Sequence, residues 1–222
     1  MTQDAPIFDP ATWGLTEQQA ELSSLARKLG QEKFAPRAAK YDREASFPTE
    51  NYKDFFDSGM MGIAIPKEYG GHGADFKTYM LTAAEIGRYC GSTALTFNMH
   101  VCSCLWSGFL LDTFDMPDAM RAEHNKTREH HYRRILDDGA IYAQPFSEGG
   151  AAAAGSKAFG TTALKVDGGW LINGKKIFAS LSGHANYYGA LCTEISSKDE
   201  DPDRANTVYI AVPANSDGVT VE

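Results

Sequence analysis

Along roughly the first 140 residues the apolar positions recur at helical spacing. In "LTEQQAELSSLARKLG", Leu22, Leu25 and Leu29 fall on one stripe; Thr16 stands where an N-cap belongs and Gln19 where its capping-box partner belongs. Pro36 is expected to kink or end this helix, because it has no N–H to donate and its ring crowds the preceding turn. A second helix is predicted from about Pro48 to Ser58, with Tyr52, Phe55 and Phe56 inward and Gly59 as its stop. "MMGIAIPKEYGGHGAD" reads as a loop with apolar anchors, in which Gly70, Gly71 and Gly73 suit turns that other residues resist. "DFKTYMLTAAEIGRYCG" and "STALTFNMHVCSCLWSGFLLDTF" predict two more helices, the latter apolar nearly all round and therefore central, with His100 as a core histidine. "DAMRAEHNKTREHHYRRILDDG" predicts a charged helix that presents His124, His130 and His131 on a solvated face.

From Ala140 the pattern becomes that of strands. "AIYAQPF", "GTTALKVDGG", "GWLINGKKIFAS", "ANYYGALCTE" and "NTVYIAVP" are short runs punctuated by glycine pairs and Asn-Gly, which predicts a small β-barrel or sandwich. The expected fold class is α+β: an α-helical domain over residues 1–139, then a small β domain over residues 140–222. In "NGKKIFASLSGHANYYG", Asn173-Gly174 is a type I′ hairpin signal, and strand alternation would put Phe178 and Ser180 on one face. That face is either core with an incidental hydroxyl, or a flat ring and a hydrogen-bonding group offered to a heteroaromatic ligand.

Composition narrows the classes. The chain has 222 residues, 43% hydrophobic and 23% charged, with a formal net charge of -8. That balance argues against a general binder of nucleic acid or of anionic membranes, both of which call for a basic surface. The start, "MTQDAPIFDPATWG", has no basic residue, no apolar run reaches membrane-spanning length, and a cytoplasmic location is expected. Cys90, Cys102, Cys104 and Cys192 lack metal-ligand spacing and are expected to be buried, reduced thiols; no metal site is expected.

Three stretches, in order and at matching spacing, resemble the acyl-CoA dehydrogenases: "GIAIPKEYGGHG", "FSEGG" and "DGGWLINGKKIFASLSGHANYY". The resemblance covers essentially the whole chain and implies that family's N-terminal helical and middle β domains, FAD as cofactor and an acyl-CoA thioester as substrate. It implies that Phe178 lies against the isoalloxazine, that Ser180 reaches N5 and that Ala179 lies between them. Ser147 would meet the pyrimidine edge, flanked by Phe146 and Gln144, and Ser156 would approach the bound substrate. Glu148 matches a glutamate that shapes the loop and is not the base. Phenylalanine and serine stand at 178 and 180 where the family has tryptophan and threonine, Gly149 where it has proline, and Gln144 where it has an aromatic.

The family's catalytic glutamate lies in a C-terminal helical domain, so no base is expected within residues 1–222, and the chain is expected to be silent alone. Implied partners are an electron-transfer flavoprotein or similar acceptor and further subunits, as a homo- or hetero-oligomer. The implied reaction is α,β-dehydrogenation to a 2-enoyl-CoA. The alternatives are a flavin-dependent monooxygenase of the same fold, or a non-catalytic subunit lending a flavin wall to a partner.

Overall fold

In the computed structural model, which describes residues 5–149, 157–197, 200–201 and 203–222, the predicted capping box forms. Thr16 Oγ1 accepts from the Gln19 N–H and Gln19 Oε1 from the Thr16 N–H, both at 3.2 Å. After a short helix α1 (Pro10–Trp13), helix α2 runs Glu17–Leu29 and packs on α5 (Phe76–Gly87). Its buried stripe is Gln19, Leu22, Ser23 and Ala26; Leu25 and Leu29, expected on that stripe, are only half-buried. The chain does not break at Pro36. It widens into a π-helical stretch, Gly30–Phe34, and resumes as α3 (Ala35–Glu44) with the proline in its first turn, where no N–H is required. Gly30 is dictated by packing: a Cβ there would lie 2.1 Å from the Tyr89 ring.

Helix α4 (Thr49–Asp57) buries Tyr52 and Phe55, but Phe56, although four residues on from Tyr52 and so on the same side of the helix, is 37% exposed, contrary to the sequence expectation. Phe55 stacks on Phe97 at 4.1 Å and meets Phe34 edge-on at 5.0 Å, making an aromatic centre with α6 (Gly91–Leu105). Helix α6 is buried along one stripe, Thr93, Phe97, His100, Val101 and Cys104, while Leu95 on the other side is 62% exposed. It too passes into a π-helical stretch, Trp106–Leu110.

The last helix of this unit, α7 (Asp118–Asp138), is not solvated all round: Arg128, Tyr132 and Ile135 are buried. His124 Nε2 donates to the Ser107 carbonyl at 3.0 Å, and Arg128 pairs with Asp112 at 2.6 Å. The chain divides into two compact units, Met1–Ala140 and Ile141–Glu222.

The second unit contains one mixed sheet: β1 (Tyr142–Ala143), β2 (Thr162–Val166), β3 (Gly169–Asn173), β4 (Tyr187–Ile195) and β5 (Thr207–Pro213). The hairpin between β2 and β3 turns at Asp167-Gly168, with Gly168 at φ 78°, and not at Asn173-Gly174. Gly174 serves another need: a Cβ there would lie 2.3 Å from Thr161 Oγ1. Strand β5 pairs antiparallel with β4 from Tyr187↔Pro213 to Thr193↔Thr207. The other edge of β4 is shared by two parallel partners, β1 beside Tyr187 and Tyr188, and β2 beside Thr193 to Ile195. Ala163, Ala190 and Cys192 form the sheet's buried cluster, under Ile172, Val208, Ile210 and Val212. All four cysteines are free thiols, and burial pushes Cys192 up to about 11 and Cys104 up to about 12.

The helical core also sets a pH limit. His100 is fully buried with Nε2 donating to the Met61 carbonyl at 3.2 Å, and burial lowers it to about 4 against that bond. Burial, with neighbouring His100 and Arg134, lowers His131 to about 3. An unfolded chain would take up these protons near pH 6.5 while the folded one refuses them, so stability is lost as pH falls from about 6.5 toward 4. We expect roughly 3 kcal/mol of loss from His100 between pH 7 and pH 4. Urea midpoints across that range should show it, and His100→Gln, which keeps an N–H for Met61, should flatten the slope.

Candidate functional site

The segments singled out from the sequence meet at one isolated antiparallel bridge, Ser147↔Ile177. The Ile177 N–H donates to the Ser147 carbonyl at 2.8 Å, so the loop after β1 lies beside the segment that leads to Phe178. Phe146 is half-buried and meets the Tyr209 ring edge-on at 6.4 Å. Gln144 is 6% exposed and its Oε1 accepts from the Tyr209 hydroxyl at 3.1 Å. Its Nε2 is buried with no hydrogen-bond partner among the described residues.

Strand alternation is not what presents Phe178 and Ser180. Residues 178–180 lie beyond the bridge and enter a turn: the Phe178 carbonyl accepts from the Ser180 N–H at 3.1 Å and the Ala179 carbonyl from the Ser182 N–H at 3.1 Å. Phe178 itself is left-handed at φ 58° and 86% exposed, and Leu181 is left-handed at φ 77° but buried. A left-handed backbone at a bulky residue is strained, and here the ring it supports has almost nothing packed upon it. Ala179 and Ser180 are half-buried beside it. Ser156 lies outside the described residues.

Glu148 is locked in place. Its carboxylate accepts from the Gly160 N–H at 2.7 Å, the Thr161 N–H at 2.9 Å and Lys176 Nζ at 2.6 Å. Burial favours the neutral acid, but the Lys176 ammonium and these donors outweigh it and hold the carboxyl below the usual carboxylate range. Lys176 also donates to the Leu191 carbonyl at 2.5 Å and lies 4.4 Å from the centre of the Phe159 ring. Gly149 follows at φ 71°, a backbone that proline cannot adopt, which accounts for glycine at that position.

Sequence reasoning missed Tyr209, Gly189 and the second role of Lys176. Lys176 sits in the quoted Asn-Gly-Lys-Lys run, so its signal was present. Tyr209 had none, being 65 residues from Gln144.

The architecture is a helical unit followed by a mixed sheet whose loop and turn converge on one face. The description "Acyl-CoA dehydrogenase, N-terminal domain" matches residues 16–109. The "Probable acyl-CoA dehydrogenase YngJ" of Bacillus subtilis (strain 168) is 26% identical over 209 residues, 93% of this chain and 50% of that protein. Among solved structures, butyryl-CoA dehydrogenase from Megasphaera elsdenii has a TM-score of 0.69 at 23% identity, covering 92% of this chain and 50% of that one. The FMN-bound form of TdsC from Paenibacillus sp. A11-2, a dibenzothiophene monooxygenase, has a TM-score of 0.68 at 22% identity, covering 89% of this chain and 45% of that one. Residues 16–109 thus match the N-terminal domain of the acyl-CoA dehydrogenases, and relatives matched over more than nine-tenths of this chain include acyl-CoA dehydrogenases. The chain spans about half the length of the curated relatives it matches over most of its own sequence.

The Glu148–Lys176 pair gives a direct test. Both side chains are nearly buried, at 9% and 11% exposure. Lys176→Met leaves a buried carboxylate without its cation and is expected to cost about 3 kcal/mol, with part recovered in the double variant Glu148→Gln/Lys176→Met. Urea unfolding of the three proteins measures this; equal losses in single and double variants would mean that the two groups are not coupled.

Proposed function

We propose that this chain is the flavin-facing part of an FAD-dependent oxidoreductase that oxidises an acyl-CoA thioester to the 2-enoyl-CoA. The observation that carries the reading is the Ser147↔Ile177 bridge, which sets the hydroxyl-bearing loop beside the turn of Phe178, Ala179 and Ser180. The residues present fit a flavin: an uncovered ring at Phe178, a buried Gln144 Nε2 in need of an acceptor, and hydroxyls at Ser147 and Ser180. A flavin held there would supply a hydride acceptor for the β-carbon of the thioester, while a base removes the α-proton. Phe178 would wall the ring system, Ser180 would donate where charge develops on it, and Gln144, Phe146 and Ser147 would hold its polar edge. Ser156 would approach the substrate. Glu148 is not the base, since its oxygens are committed to Gly160, Thr161 and Lys176. The base comes from a carboxylate beyond this site.

Acyl-CoA, an electron-transfer flavoprotein or similar acceptor, and assembly with further subunits belong to the same proposal. Leu95, Met120 and Phe76, at 62%, 60% and 59% exposure on the helical unit, support it with apolar surface for a partner. A monooxygenase is the second reading, favoured by the openness around Phe178 and by the fold likeness to TdsC.

Two measurements test this. Phe178→Gly removes the ring and relieves the left-handed strain, so its unfolding midpoint should stay close to that of the parent while affinity for FAD falls about tenfold, the worth of one stacked ring. A matching loss of stability would make Phe178 structural. In the form of the protein that acyl-CoA reduces, Ser180→Ala should slow anaerobic bleaching of the flavin about a hundredfold with little change in folding. Unchanged kinetics would remove Ser180 from the site, and bleaching only by an external reductase would favour the monooxygenase.

A further inference from the structure

The orphaned amide of Gln144 has a direction. Tyr209, on β5, donates its hydroxyl proton to Gln144 Oε1 at 3.1 Å, which commits the oxygen and leaves the NH2 as the amide's unspent end. That end is buried and unpartnered among the described residues, in a side chain 6% exposed. A buried donor without an acceptor is costly unless a ligand completes it.

The pairing is built into the sheet. Gly189 lies on β4 diagonally across from Tyr209, which pairs with Leu191, and a Cβ at 189 would fall 2.0 Å from the Tyr209 oxygen and 2.7 Å from Gln144 Oε1. Glycine at 189 therefore makes room for the hydroxyl–amide contact. Tyr209 also meets the Phe146 ring edge-on, 6.4 Å away, and Phe146 is two residues along from Gln144.

We propose that Gln144 is a specificity-determining donor for a carbonyl acceptor of the flavin, and that Tyr209 is its positioning residue. The inference rests on the flavin reading above. Flavin carbonyls gain electron density on reduction, so a fixed donor binds the reduced form more tightly than the oxidised one. Tyr209 acts through the amide: with its hydroxyl gone, the amide is free to rotate and the donor is no longer aimed.

The test uses FMN and FAD as probes, titrated into the protein freed of flavin, with the unfolding midpoint of the flavin-free form and the midpoint potential of the bound flavin as further readouts. Gln144→Met should weaken binding about tenfold, the effect of one hydrogen bond, and leave the flavin-free protein as stable as before or more so. The potential should shift to a more negative value. Gln144→Glu keeps an acceptor for Tyr209 but removes the donor, and should weaken binding further than Gln144→Met. Tyr209→Phe should weaken binding by less, and adding it to Gln144→Met should change nothing more.

Unchanged affinity and potential in Gln144→Met, while Phe178→Gly still loses flavin, would overturn this inference and leave the flavin reading standing. Tight binding by Gln144→Glu would overturn the donor polarity. A parent protein with no affinity for FMN or FAD would overturn both.

Discussion

The β unit depends on one ammonium group. Strand β4 has a full antiparallel partner on one edge, but two short parallel partners share the other edge at its ends. Between them the Leu191 carbonyl faces no strand and takes its hydrogen bond from Lys176. The same ammonium neutralises Glu148, and Glu148 ties down the Gly160 and Thr161 N–H groups at the entry to β2. A buried charge is tolerable only when it is paired and fully bonded. Here that condition joins the loop after β1, the start of β2, the middle of β4 and the segment after β3.

What this constraint positions is the site. Ser147 precedes Glu148 and Ile177 follows Lys176, so the bridge Ser147↔Ile177 sits one residue from each member of the ion pair. Phe178 is therefore projected from a firmly held base, and its left-handed backbone can be sustained there. Rigid support below and an uncovered aromatic above form a sensible division of labour for a surface that must receive a flat ligand without rearranging.

Much of the helical unit was legible because its signals are local. Thr16 with Gln19, Gly59 after α4 and the glycines of the 70–73 turn each act within a few residues. The misreadings involve contacts between distant residues. Asp-Gly and Asn-Gly make equally good turns, and only the approach of Gly174 to Thr161 shows that the second is not one. Nothing near β4 signals that both β1 and β2 will run parallel to it. The histidines of α7 looked solvated because the Ser107 carbonyl that receives His124 lies on another helix. At the site, the loop and the turn were recognisable from their residues, whereas Tyr209 and Gly189 become visible only once β4 and β5 are paired.

Gly189 also limits how this sheet can change over generations. With Tyr209 in place, even alanine at 189 would collide with the phenol oxygen, so the two positions are bound as a lock and its key blank. A lineage that trades the tyrosine for a small residue would free position 189 to drift, and the return path would then be closed until glycine was restored. Relatives that keep the tyrosine should thus keep the glycine, a historical trace of a contact that neither position betrays by itself.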